Sequence, residues 1–412
     1  MKRLAAALAC LLLIATGAAA APLVLHRGVG LHQWLNWSPL AADGSYRWPP
    51  YRTVDEWLAN DRPASEWPAG DPLAAIRVLG FDFVRLTVDP GPLLATEGER
   101  RQEALAVLSD AVEKLIAADL KVVFNLHSIS QVPQYSKDVI NAPAGSPDVA
   151  SYIAMTADVV RMLAPLGLDK VAFEPFNEPS HYPCDASGTD DWQRIMTDTV
   201  KAVRAVSPDI TLVATGACGG DVIGLVYLEP DFDDPNILYS FHMYEPHLFT
   251  HQRSDVEGDF ASGLPWPASA GSPDAVIDAL SAHMQAAGLG PAEQARNLYA
   301  VGGYIEQYFA EDWGQPQLEA RFAQVVDWAR ANDIPTSRLF MGEFGAILMS
   351  PDGRMGAFDA DRLRYLTAVR REAERYGIPW AVWEYSNPHG MSVILPIGPA
   401  VPDLPMLRAL GL

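Results

Sequence analysis

Short apolar runs alternate with amphipathic segments along most of the chain. Eight runs have the length and the branched or aromatic side chains typical of buried strands, and they cover residues 23–30, 81–88, 121–127, 170–177, 210–216, 237–244, 338–345 and 379–385. Five segments between them carry apolar residues at helical spacing, namely residues 103–120, 151–167, 192–208, 318–332 and 360–377. This alternation predicts a parallel sheet with helical crossovers, and eight such units predict a (β/α)₈ TIM barrel of the α/β class.

Two intervals between predicted strands are much longer than the others. Residues 31–80 include five tryptophans, and residues 245–337 form the longest insertion. We find no low-complexity linker and no clear repeat in residues 21–412. We therefore predict a single barrel domain over residues 21–412 with elaborated loops after strands 1 and 6. In a barrel, long loops that follow strands build the face that carries the active site.

The N-terminal segment has the pattern of a targeting signal. "MKRLAAALACLLLIATGAAAAP" has a basic start, an apolar stretch and then small residues. This order predicts a secretory signal peptide over residues 1–20 that is cleaved after Ala20. The apolar run from 4 to 21 is close to spanning length, so an uncleaved anchor is the alternative. We predict a secreted or periplasmic protein with no membrane contact beyond this segment.

Charge and cysteine content narrow the range of partners. Without residues 1–20 the chain has 28 basic against 51 acidic side chains, a balance of −23. Such a surface repels nucleic acids, whereas neutral sugars are not repelled. We expect a monomer. In an oxidising compartment Cys184 and Cys218 either form a disulfide or stay as free thiols, because spacing alone does not settle their geometry.

Polar residues collect at the ends of six of the predicted strands. In a barrel, side chains at the carboxyl ends of strands point into the active site. Each residue taken singly could be structural, but their common placement predicts a functional site. The residues are Arg85, Asn125, His127, Asn177, Glu178, His242, Tyr244, Glu343, Trp383 and Glu384. Glu174 lies inside its run, so we expect it deep in the barrel in a structural role.

Two carboxylates at strand ends across a barrel mouth suit the hydrolysis of a glycosidic bond. One carboxylic acid protonates the leaving oxygen, and one carboxylate attacks the anomeric carbon or activates water. These steps need no metal and no cofactor, and we expect neither. The predicted partner is a polysaccharide or oligosaccharide substrate.

These residues resemble glycoside hydrolase family 5, and the resemblance covers residues 25 to 390 approximately. "FEPFNEP" is similar to the acid/base motif of that family, which implies that Glu178 is the acid/base and that Asn177 binds the 2-hydroxyl of the substrate. "FMGEFG" is similar to the nucleophile motif, which implies that Glu343 is the nucleophile. The other shared site positions are matched by Arg85, His127, His242, Tyr244 and Trp383.

The resemblance implies a retaining mechanism, in which the two carboxyl groups stand about 5–5.5 Å apart. It also implies that the carboxyl groups of Glu178 and Glu343 have different protonation states. We expect the negative charge of Glu343 to raise the pKa of Glu178, and we expect Arg85 and Tyr244 to keep Glu343 ionised.

The substrate is less sharply indicated than the reaction. The family includes enzymes that act on cellulose, mannan and β-1,3-glucan. We favour an endo-β-1,4-glucanase, with a β-mannanase or a β-1,3-glucanase as alternatives. "RGVGLHQWLNW" is similar to the start of glucan hydrolases but departs from it at His32 and Gln33. Trp34 and Trp37 are our candidates for stacking on sugars; the alternative is that either one anchors its loop.

Two other classes of protein remain as alternatives. A metal-dependent barrel hydrolase would need a His-x-His pair early in the chain, but His26 and His32 are six residues apart. A non-catalytic glycan-binding barrel protein would keep the fold without the chemistry. Both carboxylates and all the supporting positions are present, which argues against the second class.

Overall fold

A closed barrel of parallel strands forms the centre of the protein. The computed structural model describes residues 21–129, 131–181, 188–253, 261–348, 356–387 and 390–412. Within these ranges each of eight strands pairs with the next, and the eighth pairs with the first. The strands are β1 (Arg27–Leu35), β2 (Phe83–Val88), β3 (Lys121–Leu126), β4 (Val171–Glu174), β5 (Thr211–Thr215), β6 (Ile237–Met243), β7 (Leu339–Phe344) and β8 (Trp380–Val382). The predicted (β/α)₈ barrel is confirmed.

Helices surround this barrel and follow the predicted order. The helices are α1 (Val54–Asp61), α2 (Pro72–Val78), α3 (Gly91–Leu94), α4 (Gly98–Ala117), α5 (Pro147–Leu163), α6 (Asp191–Val206), α7 (Val222–Val226), α8 (His247–Thr250), α9 (Pro273–Ala286), α10 (Pro291–Ala310), α11 (Gln315–Ala331), α12 (Asp359–Arg375) and α13 (Leu404–Ala409). The five predicted helices are confirmed as α4, α5, α6, α11 and α12.

Helix α5 begins earlier than the apolar spacing indicated, because a cap defines its first turn. In α5 the hydroxyl of Ser146 accepts a hydrogen bond from the backbone N–H of Val149 at 3.3 Å, and Pro147 occupies the first turn. A side-chain cap and a proline at this position both stabilise a helix start. The helix therefore begins four residues before its first predicted position, 151.

The predicted position of the first strand is wrong by several residues. The apolar run begins at residue 23, but β1 begins at Arg27. Leu23 and Leu25 instead cover the amino-terminal end of the barrel, and the backbone N–H of Leu23 donates to the hydroxyl of Thr211 at 2.8 Å. They pack against inward-facing side chains of seven strands, namely Phe83, Val123, Ala172, Val213, Leu238, Phe340 and Ala381. The run is apolar because it closes the barrel floor.

The two long intervals are the elaborated loops that the sequence predicts. The loop after β1 contains α1 and α2, and the segment between β6 and β7 contains α8 to α11. In α1 the side chain of Thr53 accepts from the N–H of Glu56, while the carboxylate of Glu56 accepts from the N–H of Thr53. This reciprocal capping box starts the helix locally, so the loop after β1 carries structure of its own.

One described helix, Pro147–Leu166, is long and apolar enough to cross a membrane by length and composition. It consists of α5 with the turn that follows it, and its apolar side chains Val149, Tyr152 and Met155 are buried in the core of the protein. Its hydropathy therefore reflects packing against the barrel.

Candidate active site

Glu343 lies at the carboxyl end of β7 and is held from two sides. Only 4% of the residue is exposed. The guanidinium of Arg85 donates from Nη1 to Oε1 of Glu343 at 2.5 Å, and the hydroxyl of Tyr244 donates to Oε2 at 2.9 Å. Arg85 lies inside β2 rather than near its end as the sequence predicted, and Tyr244 directly follows β6, so the barrel itself orients this carboxylate.

Arg85 is fixed in turn by Glu174 and Asn177. Its Nε and Nη2 donate to the two carboxylate oxygens of Glu174 at 2.6 and 3.1 Å, and Nη2 also donates to Oδ1 of Asn177 at 2.8 Å. The predicted position of Glu174 inside its strand is wrong, because β4 ends at this residue, whereas its predicted burial is confirmed at 0% exposure. Glu174 thus acts on Glu343 through one intervening side chain.

Glu178 faces Glu343 from the loop after β4, beyond the strand end where the sequence placed it, and is more open. Its side chain is 40% exposed, whereas that of Glu343 is 5% exposed. Nδ1 of His242 lies 2.8 Å from Oε1 of Glu178 and 3.6 Å from Oε2 of Glu343. The backbone gives this imidazole room: a Cβ at Gly342 would lie 3.1 Å from its Nε2. One carboxylate oxygen of Glu178, one of Glu343 and a ring nitrogen of His242 all lie within 4.8 Å of one another.

The pKa values of the two carboxyl groups are both raised, mainly by burial. The surrounding protein atoms raise the pKa of Glu178 to about 7; the charges of Arg85 and Lys137 oppose this, and that of Glu174 adds to it. We expected the charge of Glu343 to raise the pKa of Glu178, but the main cause is that protein atoms displace water from around the carboxyl group, even though 40% of the side chain is exposed. Burial also raises the pKa of Glu343, although His242, Arg85 and the Tyr244 hydroxyl oppose the shift.

An aromatic wall stands beside the carboxylates. The rings of His127 and Trp383 are stacked, with centroids 5.8 Å apart, and Nε2 of His127 lies 3.3 Å from Nδ2 of Asn177. Burial lowers the pKa of His127 well below its usual value, so the ring is neutral. Behind Trp383, the buried carboxyl of Glu384 accepts from the backbone N–H of His32 at 3.1 Å. This contact joins the segment after β8 to β1.

The structure adds His32, which we did not place in the site. Its ring lies 4.8 Å from His127 and 4.7 Å from Trp383, measured between centroids. The ring of Trp37 meets His32 edge-on at 5.8 Å, and Trp37 is 37% exposed. The signal in the sequence was a polar residue near the end of the first strand, but the predicted strand ended two residues too early to include it.

The proposed stacking role of Trp34 is wrong. The residue is 2% exposed, its ring stacks on Trp57 of α1 at 5.8 Å, and its Nε1 donates to the carbonyl of Arg52 at 2.8 Å. A side chain with both faces covered cannot bind a sugar, so Trp34 anchors its loop.

The predicted cysteine pair is described only in part. Cys218 is disulfide-bonded. Cys184 lies outside the described residues, so its pairing with Cys218 stays a prediction.

Among the described residues, Glu178, His242 and Glu343 could together hold a metal ion, since one ligand atom of each lies within 4.8 Å of the others. Arg85 argues against this use. Its guanidinium lies 2.5 Å from Glu343, and a positive charge at that distance repels a cation. The arrangement fits two carboxyl groups that act directly: a half-exposed proton donor, Glu178, and an oriented anion, Glu343.

Comparison with known families agrees with this geometry. A model of the family described as Cellulase (glycosyl hydrolase family 5) matches residues 46–389, which include all the strand ends named above except that of β1. The chain belongs to glycosyl hydrolase family 5. Within the family 5 segment lie both carboxylates, Arg85 and the wall formed by His127 and Trp383.

Two curated relatives are similar over part of their length. The family 5 chain is 24% identical to Endoglucanase 3 of Fibrobacter succinogenes over 270 residues, which is 64% of this chain and 37% of the relative. It is 27% identical to Endoglucanase C of Acetivibrio thermocellus over 188 residues, 44% of this chain and 52% of the relative. The chain thus spans about half or less of the curated relatives that it matches.

A solved structure shows the same fold. Cel5A of Thermotoga maritima in complex with mannotriose has a TM-score of 0.64 and 18% identity, with 94% of this chain and 97% of that chain covered. At this identity the likeness shows the (β/α)₈ fold of family 5 and carries no statement about substrate.

Proposed function

We propose that this protein is a retaining endo-β-1,4-glucanase that uses Glu178 as acid/base and Glu343 as nucleophile. The observation that carries the proposal is the short separation of the two carboxylates, whose nearest oxygens lie within 4.8 Å. Retaining enzymes hold their carboxyl groups about 5–5.5 Å apart, whereas inverting enzymes leave about 6.5–9.5 Å for a water molecule. Family membership supports the same reaction.

The two steps of the reaction follow from the surroundings of each group. In the first step Glu343 attacks the anomeric carbon, while Glu178 gives its proton to the leaving oxygen as the glycosidic bond breaks. In the second step Glu178 takes a proton from water, the water oxygen attacks the anomeric carbon, and the bond to Glu343 breaks. A pKa of about 7 suits Glu178 to both donating and accepting this proton.

The supporting residues have proposed roles consistent with their contacts. Arg85 and Tyr244 hold Glu343 by hydrogen bonds to different oxygens, which aims the carboxylate at one position. Asn177 is held by Arg85 and His127 and would bind the 2-hydroxyl of the sugar. Trp383 and Trp37 would offer apolar faces to sugar rings.

We propose a soluble β-1,4-glucan as the substrate, and the test includes other glycans as alternatives. The relatives named above are endoglucanases, while Cel5A of Thermotoga maritima has been crystallised with mannotriose as well as with cellobiose. A β-mannanase and a β-1,3-glucanase therefore belong in the same test.

The test measures products and stereochemistry together. The protein is incubated with β-1,4-glucan, β-1,3-glucan and mannan, product sizes are measured, and early products are observed by proton NMR. We expect mixed oligosaccharides from β-1,4-glucan with the β-anomer formed first. The α-anomer first would overturn the retaining mechanism, and hydrolysis of none of the three glycans would favour a glycan-binding barrel protein.

We also propose that residues 1–20 direct the protein out of the cytoplasm and are removed. The order of basic, apolar and small residues supports this, and so does the disulfide at Cys218, since disulfides persist in oxidising compartments. Expression in a bacterial host followed by N-terminal sequencing of the exported protein tests the proposal. We expect the sequence to begin at Ala21; protein that keeps Met1 in the membrane fraction would indicate an anchor.

A further inference from the structure

A second cavity opens at the rim of the barrel, next to the end of β6. It has a volume of about 250 Å³, is open to solvent, and is lined by the turn after β6, the second half of α10, the turn that follows α10, and Arg321 of α11. Since a water molecule occupies about 30 Å³ of liquid, this space suits one sugar residue with a few waters. Much of its wall belongs to the long insertion between β6 and β7.

The lining combines aromatic rings with polar groups that orient one another. Tyr304 is 64% exposed and lies on the wall. The indole Nε1 of Trp313 donates to Oε2 of Glu311 at 2.6 Å, and Nε2 of Gln307 donates to Oε1 of the same carboxylate at 2.7 Å. A sugar ring has an apolar face and a rim of hydroxyl groups, so it needs both kinds of partner.

The charges of the cavity favour a neutral ligand. Nε of Arg321 donates to Oε2 of Glu245 at 2.5 Å, and its guanidinium lies 5.8 Å from the centre of the Trp313 ring. The arginine is thus already paired with a carboxylate, and Glu311 adds a second negative charge. An anionic ligand would be repelled, whereas hydroxyl groups can donate to the carboxylates.

The cavity lies on the side of the mouth to which Glu178 belongs. Glu178 follows β4, Asp221 follows β5 and Glu245 follows β6, so the three are consecutive around the rim. Residues 220 and 221 connect them closely: a Cβ at Gly220 would lie 3.6 Å from Cγ of Glu178, and the backbone of Asp221 pairs with that of His242. Trp383, which follows β8, and His32 on β1 lie across the barrel from these residues.

We propose that this cavity binds a sugar residue on the leaving-group side of the substrate chain. The inference rests on the proposed hydrolase function, in which Glu178 protonates the oxygen of the leaving group. The sugar residues on the far side of that oxygen must therefore lie next to Glu178. From there the rim of the barrel continues from β4 to β6 and reaches the turn at Glu245. The insertion between β6 and β7 thereby gives the enzyme a preference for longer chains and for cleavage within them.

The test compares two tyrosines of the same helix. Tyr304→Ala removes the ring that lines the cavity, and Gln307→Ala removes a polar partner. Tyr299→Ala is the matched control, because Tyr299 also belongs to α10 but is 92% exposed and outside the cavity. The substrates are an aryl β-cellobioside, the cello-oligosaccharides from cellotriose to cellohexaose, and a soluble β-1,4-glucan.

We expect Tyr304→Ala to lower kcat/KM on the longest substrates by about threefold to tenfold, the range expected for one aromatic contact. The loss should increase with chain length and be smallest on the aryl cellobioside, and Gln307→Ala should follow the same trend. Tyr299→Ala should match the wild type. A loss that is equal at every length, or equal losses for the two tyrosines, would overturn the inference.

A binding measurement separates this inference from the proposed function. Cellohexaose and the soluble glucan are titrated into Glu343→Gln protein, with and without Tyr304→Ala, and the affinity is measured by calorimetry. We expect the same threefold to tenfold weakening with Tyr304→Ala. If the wild type hydrolyses glucan and Tyr304→Ala binds like Tyr299→Ala, only the cavity proposal fails. If nothing is hydrolysed yet binding weakens as expected, only the proposed function fails.

Discussion

Glu178 and Glu343 share His242 as a neighbour, but their other partners differ. Glu343 contacts the guanidinium of Arg85 and the hydroxyl of Tyr244, which stabilise an anion. Glu178 is more open to the mouth, and its pKa is raised to about 7. The contrast supports the proposed roles, in which Glu343 attacks and Glu178 transfers the proton.

Replacing each glutamate in turn should give different losses. Glu343→Gln should abolish turnover of all substrates, because no covalent step can begin. Glu178→Gln should lose less activity on aryl glycosides, because their leaving group needs no proton. Added azide should restore turnover of this variant and give a glycosyl azide. Steady-state kinetics and mass spectrometry of the products measure both effects. Equal losses without rescue for the two variants would show that the roles are misassigned.

The pKa of Glu178 also predicts the alkaline side of the pH profile. The pKa of Glu178 lies above its ordinary value, so the carboxyl group stays protonated up to a pH of about 7 and loses its proton at higher pH. Because the proposed mechanism needs the protonated form of Glu178, kcat/KM on a glucan should fall as the pH rises through about 7. An aryl glycoside with an activated leaving group should keep its rate further into the alkaline range. The same alkaline limb for both substrates would contradict this assignment.

Glu174 positions Arg85 and should affect both stability and rate. Breaking a buried ion pair costs about 3–5 kcal/mol, and glutamine retains part of the hydrogen bonding, so we expect Glu174→Gln to lower Tm by about 5 °C or more. Because Arg85 would be held less firmly against Glu343, kcat should fall by about tenfold to a hundredfold. Calorimetry and kinetics of the folded protein measure the two effects.

A second buried carboxylate supplies the control for Glu174. Glu372 is 5% exposed, accepts a hydrogen bond from Gln315 at 3.0 Å and pairs with Arg375 at 3.3 Å, so its partners are not residues of the candidate active site. Glu372→Gln should lower Tm without a comparable change in kcat. If Glu174→Gln lowers Tm alone, as Glu372→Gln should, then Glu174 has no positioning role.

The segment before β1 is an element of its own that closes the barrel floor. Leu25 is 6% exposed and packs against side chains of the strands, whereas the neighbouring Val24 is 63% exposed. Leu25→Ala should destabilise the protein by about 2–5 kcal/mol, the usual cost of such a truncation in a core. Val24→Ala, in the same segment, should leave Tm nearly unchanged.

The floor and the mouth are at opposite ends of the strands, so this effect should not reach the chemistry. Denaturation curves measure the stability of the two variants, and kinetics at a temperature where both are folded measure kcat. We expect kcat of Leu25→Ala to stay within about twofold of the wild type, less than 0.5 kcal/mol in the barrier. A large loss of kcat in folded Leu25→Ala protein would show that the floor and the site are coupled.

The acidic surface is a property of the entire protein and acts on charged substrates at a distance. The formal net charge of the full chain is −21. Raising the salt concentration from about 0.01 M to about 0.1 M shortens the Debye length from about 30 Å to about 10 Å. KM for anionic carboxymethylcellulose should therefore fall severalfold over this range, since repulsion slows encounter at low salt. Neutral hydroxyethylcellulose is the control and should show little change; equal salt dependence for the two polymers would contradict the argument.

The barrel, the order of its helices and the strand-end residues were predictable from the sequence. Strand length, helical spacing and the position of a polar residue at the end of an apolar run are local features, and they can be identified without knowing what packs where. Asn177, His242, Tyr244 and Glu343 were identified in this way. Arg85 was identified too, although it lies inside β2, and the structure brings all five together.

Only the tertiary structure decided which neighbours each side chain meets. Trp34 and Trp37 are three residues apart and have similar neighbours in the sequence. In the fold, however, Trp34 is covered by Trp57 of α1, whereas Trp37 contacts His32. Leu23 and Leu25 form part of an apolar run that serves as a floor, and Glu174 ends its strand beside Arg85. Contacts of this kind join residues from different strands and loops, so they exist only once the barrel has closed; a periodic pattern along the chain contains no information about them.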